Sequence, residues 1–337
     1  MQDGNTPRKK IDVLSMFGQT PAKEEFYVDD TRNLVVVRCG DHSLHRGWMR
    51  SPRNWSLAVS YFGVDEERQF PEADHVHRYR GGKWDGLYDF FLSYPDLLNR
   101  YDYVWLPDDD IKAESENINL MFRCMAENEF ELAQPSLSPE SFLSHLVVSW
   151  NPLFEYRNVN LVEIMAPVLV RDLLCRVLPL FKGAKTGFGI DFVWHRFTSD
   201  PLSRVAVIDR VQVTHTRPVG GALHKMLARE GTETADQEQA RFLARYTDVV
   251  KTELITGGRL RNGVRIRSSW LAATLAAVGW ALHSSGRRGF VESLSPTRFL
   301  VWVVRNWYGN ITETRRCSRI MAVPDPEASR NREFMNK

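Results

Sequence analysis

Short apolar runs that stop abruptly in polar or glycine-bearing loops constrain this chain most. Leu34-Val35-Val36-Val37 runs into Cys39-Gly40-Asp41, and Leu57-Ala58-Val59-Ser60-Tyr61-Phe62-Gly63 repeats the pattern. A third run, Tyr103-Val104-Trp105-Leu106, is halted by Pro107-Asp108-Asp109-Asp110. Such β-branched and aromatic runs, bounded by turn residues, predict buried strands. Gly81-Gly82 introduces Lys83–Asn99, where Trp84, Leu87, Tyr88, Phe91, Tyr94 and Leu98 recur every three to four residues, the stripe of a helix. Ile118–Asn128 predicts a further helix and Glu131–Gln134 a strand closed by Pro135. Strands alternating with helices at this spacing predict an α/β fold, a Rossmann-like, mostly parallel sheet with helices on both faces. Ligands in such sheets bind at the carboxyl ends of the strands.

Beyond that core, His145–Trp150 and Asn160–Met165 predict strands of a second layer, Val168–Phe181 a helix, Gly187–Arg196 a glycine turn into a helix, and Val205–Thr214 a strand. From Tyr246 onward the chain reads as helical, Trp-rich and basic. Residues 256–320 hold eleven Arg against Glu292 and Glu313, a net +9 in a chain of net +2, which leaves −7 elsewhere. An acidic body with a basic segment predicts two different jobs. The expected division is a loose lead-in over 1–32, a catalytic domain over 33–245, the basic helical segment over 246–320 and a flexible tail over 321–337.

With 337 residues, 43% hydrophobic and 26% charged, the chain is an ordinary globular one, which excludes disordered and collagen-like classes. Cys39, Cys124, Cys175 and Cys317 lie far apart without a CxxC pair, so a reducing compartment fits and neither a zinc site nor a disulfide framework is indicated. The N-terminal residues lack the apolar stretch of a secretory signal, and the longest apolar run, Trp270–Leu282, is too short to span a bilayer. A cytoplasmic protein, soluble or peripheral on a membrane, is expected. Ten Trp are more than packing usually asks for, and such rings serve as core filling or as platforms for sugars.

The chemistry centres on residues 101–110. A strand that delivers Asp108 and Asp110 at i and i+2 puts hard oxygen ligands at the edge of a sheet, where Mg²⁺ or Mn²⁺ can bridge them to a diphosphate. The plain alternative is a solvated acidic turn. Lys185-Thr-Gly-Phe-Gly-Ile-Asp places glycines ahead of Asp191, a carboxylate turned into a cleft or else a helix N-cap. Val213-Thr-His-Thr-Arg-Pro-Val-Gly-Gly ends a strand with His215 before a glycine loop, an imidazole suited to Mn²⁺ beside two aspartates, or a structural histidine.

A strand ending in DxD, a later glycine-rich segment with an acid and a downstream His, in that order, resemble the glycosyltransferase-A nucleotide-sugar enzymes. The stretch from about Asn33 to Gly220 resembles more closely the domain of unknown function 707 family, through Leu-Val-Val-Val-Arg, Tyr101–Asp110, Ala133-Gln134-Pro135-Ser136, Val162-Glu163-Ile164-Met165-Ala166-Pro167 and Gly187–Trp194. That resemblance implies a glycosyltransferase-A fold. It implies metal and nucleotide-sugar roles for Asp108 and Asp110, a metal-ligand role for His215 and a general-base role for Asp191. Arg38, Asp41 and Lys83, with Asp109, fall where loops would contact the nucleotide. One departure is Pro107, which removes a backbone donor ahead of the first Asp.

The expected protein is thus a Mn²⁺- or Mg²⁺-dependent glycosyltransferase of hexosyltransferase type. It would move a sugar from a nucleotide-sugar, a UDP-sugar favoured, to a glycan, lipid-linked or other hydroxyl acceptor, in surface polysaccharide or glycoconjugate synthesis. The alternatives are a nucleotidyltransferase, which would want a glycine-rich phosphate loop that Gly40 alone does not provide, and a non-catalytic glycan-binding or assembly component. No nucleic-acid motif is present. The basic segment is expected either to dock on an anionic membrane surface or to pack its Ala- and Gly-rich stretch on the catalytic domain.

Overall fold

The computed structural model describes residues 32–218 except 51, 233–282 except 248, and 300–312 except 302, 306 and 311. The expected lead-in and tail, the glycine loop after Pro218, and Arg287, Arg288 and Arg298 lie outside the described residues. In chain order the elements are β1 (Asn33–Cys39), β2 (Ser56–Tyr61), β3 (His75–Arg78), α1 (Lys83–Ser93), α2 (Leu97–Arg100), β4 (Tyr103–Trp105), β5 (Ile111–Lys112) and α3 (Ser115–Glu127). There follow β6 (Leu132–Leu137), β7 (Phe154–Val159), β8 (Val168–Val170), α4 (Arg171–Phe181), β9 (Val205–His215), α5 (Ala235–Leu243), β10 (Ile255–Leu260), β11 (Arg265–Ile266) and α6 (Ser269–Leu282).

The strands form one sheet in the order β11-β10-β7-β9-β6-β8-β4-β1-β2-β3, with β5 paired to the end of β9. β1, β2, β3, β4, β6, β9 and β10 share one direction, while β7, β8 and β11 run against it. α1 packs on β1, β2 and α4, and α3 covers β6 and β9 on the other face. The expected α/β architecture is therefore present. Its central strands are buried on both sides: every residue of β2 and of β6 is buried, and the run Leu57-Ala58-Val59 in β2 accordingly reads without alternation. α1 buries Trp84, Leu87 and Phe91 of the predicted stripe, and Phe90 beside them.

Five tryptophans, Trp48, Trp55, Trp84, Trp105 and Trp194, are fully buried and fill the core. Three of them also hold loops. The indole N–H of Trp105 donates to Ala166 O at 3.1 Å, that of Trp194 to Val162 O at 3.1 Å, and that of Trp48 to Ile111 O at 2.9 Å. Apolar bulk and a single directed donor together fix the chain on either side of the sheet's carboxyl edge.

Several expectations differ from the structure. The helix expected over Lys83–Asn99 ends at Ser93, with α2 separate; the strand expected to close at Pro135 runs on to Leu137; and the helix expected over Gly187–Arg196 is a pair of 3₁₀ turns, residues 190–192 and 194–197. The stretch 145–165 is not a second layer: residues 146–148 form a single 3₁₀ turn, β7 joins the main sheet, and 160–167 is a loop leading into β8. Val168–Val170 is strand, and the helix starts at Arg171. Past Tyr246 the chain is not helical throughout, because β10 pairs antiparallel with β7. The Gly257-Gly258 pair hides that strand in the sequence. It is required there: a Cβ on Gly257 would lie 2.7 Å from Ile266 O, and one on Gly258 2.6 Å from Tyr156 O, at a bulged register.

α6 packs on β10 through Ala272, Ala273, Ala276 and Trp280, all buried. Gly279 lets the helix approach Asn151, whose amide donates to Ala276 O at 2.8 Å. Among the described residues no helix is long and apolar enough to cross a membrane.

A candidate metal and acceptor cleft at the carboxyl edge of the sheet

β4 leaves the sheet clamped. Leu106 N donates to Pro167 O and Asp108 N to Met165 O, both at 2.8 Å, as the chain continues alongside residues 165–167. The intervening position needs no donor, which is why Pro107 is tolerated there without loss of pairing. The turn then fans the three acids apart. Asp110 is buried, with its carbonyl accepting from Thr216 N at 3.2 Å and Thr216 Oγ1 at 2.8 Å, because β5 pairs with the end of β9 in the register Ile111↔His215. That register sets His215 Nε2 3.3 Å from Asp110 Oδ2, while Nδ1 lies 3.0 Å from Phe142 O.

Asp108, Asp110 and His215 each offer a ligand atom within 4.8 Å of the others. Asp110 Oδ1 is buried without a hydrogen-bond partner. Two carboxylates and an imidazole, one oxygen of them orphaned, are a donor set that fits Mn²⁺ or Mg²⁺. Burial alone would lower the pKa of His215, but the hydrogen bond and charge of Asp110 raise it to about 8. A proton on the imidazole thus offsets the acids while no cation does.

Lys83 reaches the same acids from the first turn of α1. Its Nζ donates to Asp108 Oδ1 at 2.6 Å, Ile164 O at 2.7 Å and Met165 O at 3.2 Å. All three ammonium donors are thereby engaged, so Lys83 offsets acid charge and ties the 163–167 loop to the turn. Burial raises the Asp108 carboxyl, Lys83 lowers it and Asp110 raises it again, with a net rise. Asp109 points elsewhere: its Oδ2 accepts from Gly40 N at 2.9 Å and its Oδ1 from Arg217 at 3.2 Å, stapling the end of β1 to the turn.

Asp191 sits in a 3₁₀ turn, Ile190–Phe192, whose N-cap is Gly189 at φ +101°, so it is not the N-cap itself. The approach is shaped by α5: Glu238 accepts from Thr186 N, Thr186 Oγ1 and Gly187 N at 3.0–3.1 Å. Gly187, at φ +79°, passes where a Cβ would strike the Trp84 indole. Asp191 is buried with Oδ1 unpartnered, and burial pushes its pKa up to about 6 against the lowering charge of His145 and nearby amides.

A cleft of about 620 Å³ brings Lys83, Asp108, Asp110, Asp191 and His215 together. It also contains two residues that sequence reasoning missed, Glu163 and His145. Glu163 is 4% exposed, its Oε2 lacks a partner, and burial pushes it up to about 7. His145 Nδ1 lies 2.9 Å from Glu253 Oε1, its ring stands edge-on to Phe192, and Glu253 with Glu163 overcomes its burial to raise it to about 9. The one available signal for Glu163 was an acid in a loop-entering block before Ala-Pro, which the apolar neighbours disguised as strand.

Three predicted residues stand outside the cleft lining, Arg38, Asp41 and the Asp109 that turns to Gly40 and Arg217. Arg38 is buried, donating to Ser60 O and Oγ, Tyr79 O and Gly81 O, with its guanidinium against α1 at Gly86. It braces the loop before α1. Asp41 accepts from the Tyr61 hydroxyl and, at 3.3 Å, from Arg68, at the half-exposed end of β1.

No protein-family model and no curated protein matches the chain. Among solved structures, S. aureus TarS is similar at 14% identity over 66% of this chain and 44% of that one, with a TM-score of 0.38. Glucosyl-3-phosphoglycerate synthase from Mycobacterium tuberculosis, solved with Mn²⁺, UDP and glucosyl-3-phosphoglycerate, is similar at 14% identity over 71% of this chain and 88% of that one, TM-score 0.41. GalNAc-T7, solved with UDP, GalNAc and Mn²⁺, is similar at 10% identity over 63% and 50%, TM-score 0.42. The chain thus spans less than half of TarS and half of GalNAc-T7. At such scores the likeness extends to no residue's role.

Proposed function

We propose that the chain is a metal-dependent glycosyltransferase of the glycosyltransferase-A type, taking a nucleotide-sugar donor, a UDP-sugar favoured, and a hydroxyl acceptor on a glycan or lipid-linked carrier. One observation carries the reading: Asp108, Asp110 and His215 converge at the carboxyl edge of the sheet, with an orphaned buried oxygen, in the same cleft as the unpartnered carboxylate of Asp191. Asp108, Asp110 and His215 would hold Mn²⁺ or Mg²⁺. Such a cation, when bound, neutralises the diphosphate that leaves the sugar.

The remaining work falls to the chain's own residues. Lys83 keeps Asp108 in place through its own contact and its grip on the 163–167 loop. Asp191, as the carboxylate, accepts the proton of the acceptor hydroxyl while its oxygen bonds to the anomeric carbon and the bond to the diphosphate breaks. Burial suits it to this, because a base near neutral pKa holds a proton better than an exposed aspartate. Glu163, half protonated at neutral pH and facing the same cleft, orients a second acceptor hydroxyl, and His145 supplies the positive charge that keeps two neighbouring acids from repelling each other. Arg38, Asp41 and Asp109 shape the nucleotide side of the cleft through the loops they tie together.

Turnover of a panel of nucleotide-sugars, with and without Mn²⁺, tests the reading. Metal-dependent release of a nucleoside diphosphate from one donor supports it. Absence of any metal-dependent nucleotide binding by calorimetry across the panel refutes it.

A further inference from the structure

Glu253 lies past 33–245, the stretch expected to hold the catalytic domain, yet it backs one wall of the cleft. Two buried asparagines put it there. Asn160 donates from Nδ2 to Thr252 O at 2.9 Å and accepts at Oδ1 from Leu254 N at 2.7 Å, so it grips the chain on both sides of Glu253. Asn310 adds a second grip: its Oδ1 accepts from Ile255 N at 2.7 Å and its Nδ2 donates to Glu253 O at 3.3 Å. Asn160 also opens the loop that carries Glu163, which ties Glu253 and Glu163 to one buried side chain.

Both carboxylate oxygens of Glu253 are turned on residues 145–147. Oε1 accepts from His145 Nδ1 at 2.9 Å and Oε2 from Val147 N at 3.1 Å. A carboxylate only accepts, so Nδ1 keeps its hydrogen and the proton that the ring can lose is the one on Nε2. His145 lines the cleft and Glu253 does not, so Nε2, with no hydrogen-bond partner among the described residues, is the edge left to the cleft. The charged groups around the ring are Glu253 behind it and Glu163 and Asp191 on the cleft side. Burial works against its charge, but the hydrogen bond of Glu253 and the charges of all three acids raise it to about 9. The other charged groups of the cleft are paired, Lys83 with Asp108, Asp110 with His215 and Arg217 with Asp109, or exposed, Lys185 and Asp236. Three atoms without partners therefore share the cleft: Nε2 of His145, a charged donor, and Oδ1 of Asp191 and Oε2 of Glu163, two acceptors. A reacting hydroxyl matches that set, because it donates to one acid while its oxygen accepts from the imidazole.

We propose that His145, held by Glu253, donates its Nε2–H to the acceptor oxygen as Asp191 takes that oxygen's proton, and that Glu253 is the residue that positions it. This rests on the glycosyltransferase reading. His145 keeps its proton throughout, and its charge stands beside the oxygen as negative charge develops there. Nitrogen NMR of the full chain follows the His145 imidazole against pH, and initial rates give kcat/KM for the acceptor. In the parent, both the imidazole and the fall of kcat/KM at high pH are expected to titrate at about 9. Glu253→Gln keeps an oxygen for Val147 N but no charge, so both midpoints should move down by about one pH unit or more, and the variant loses about threefold more near pH 8.5 than near pH 6.5. His145→Gln has no proton to lose in this range: its alkaline limb should disappear, with the acceptor KM raised and the donor KM unchanged. An imidazole midpoint that Glu253→Gln leaves in place, an alkaline limb that survives in His145→Gln, or a KM effect on the donor in place of the acceptor overturns the proposal. Failure of the glycosyltransferase reading shows separately, as absence of metal-dependent nucleotide binding by the parent.

Discussion

Asp110 keeps one oxygen on His215 and leaves the other buried and unpartnered, so it contributes little to the fold and much to ligand capture. Asp110→Ala is expected to abolish Mn²⁺-dependent UDP binding in calorimetry with Tm unchanged or raised. His215→Ala, which removes a neutral ligand and leaves both acids, weakens the same binding less. Asp191→Asn keeps the shape but cannot take a proton, so kcat falls by about a hundredfold or more with donor affinity intact. Since the base acts ionised, kcat/KM of the parent rises as pH passes about 6. Glu163 shows the other consequence of burial. Its pKa rises from the ordinary 4.5 to about 7, so the stability it contributes is complete below about 4.5 and is lost as pH rises through 7. Glu163→Gln escapes that loss, worth about 3 kcal/mol, and denaturant midpoints should show the variant gaining on the parent at pH 8 but not at pH 4.

Among elements, α1 does the most to assemble the site, since it carries Lys83, covers β1 and β2 and faces Arg38. Gly86 is the point of closest approach: a Cβ there would lie 2.3 Å from the Arg38 guanidinium carbon. Alanine is the better helix former by about 1 kcal/mol, so propensity alone predicts that Gly86→Ala stabilises. Packing reverses the sign. Arg38 is held by three carbonyls and a hydroxyl and cannot retreat, and overpacking of a fixed group costs about 1–3 kcal/mol. Chemical denaturation of Gly86→Ala should show a net loss, and Arg38→Met in the same background should recover part of it.

At the scale of the whole molecule, the neighbouring strands β7 and β9 are tied together by a buried ion pair. Arg157 and Asp209 are both 0% exposed, paired through Nε at 2.8 Å and Nη2 at 2.9 Å. Arg157 also donates to Val147 O and Ser149 O, while Asp209 accepts from Asn151 N and the Trp280 ring of α6 lies 5.1 Å from the guanidinium. β7, β9, the 147–151 loop and α6 therefore meet at one charge pair. Asp209→Asn leaves the guanidinium short of a counter-charge and is expected to cost about 3–5 kcal/mol by denaturant titration. The same geometry means that removal of residues 256–337 takes β10 out of the sheet and uncovers this pair. Such a truncation should unfold the chain, read as loss of the cooperative transition in denaturant titration.

The sequence by itself determined what depends on neighbours along the chain. The apolar runs of β1, β2 and β4, the stripe of α1 and the acids that end β4 were all readable, because strand and helix periods are local and a strand that stops at Asp108 must stop at an edge of the sheet. Tertiary structure alone decided the rest. Glu163 and His145 join Asp191 only because β7 and β8 turn back at that edge; burial there raises the two carboxyls, while Glu253 and Glu163 raise the imidazole against its burial. No spacing in the sequence announces that Lys83 bonds Asp108 and two loop carbonyls, or that Arg38 bonds carbonyls of Ser60, Tyr79 and Gly81. Asp109, between two acids that face the cleft, turns away toward Gly40. β10 stayed hidden because two glycines that signal a loop are the residues a close strand approach demands, a requirement that exists only once β7 and β11 lie on either side.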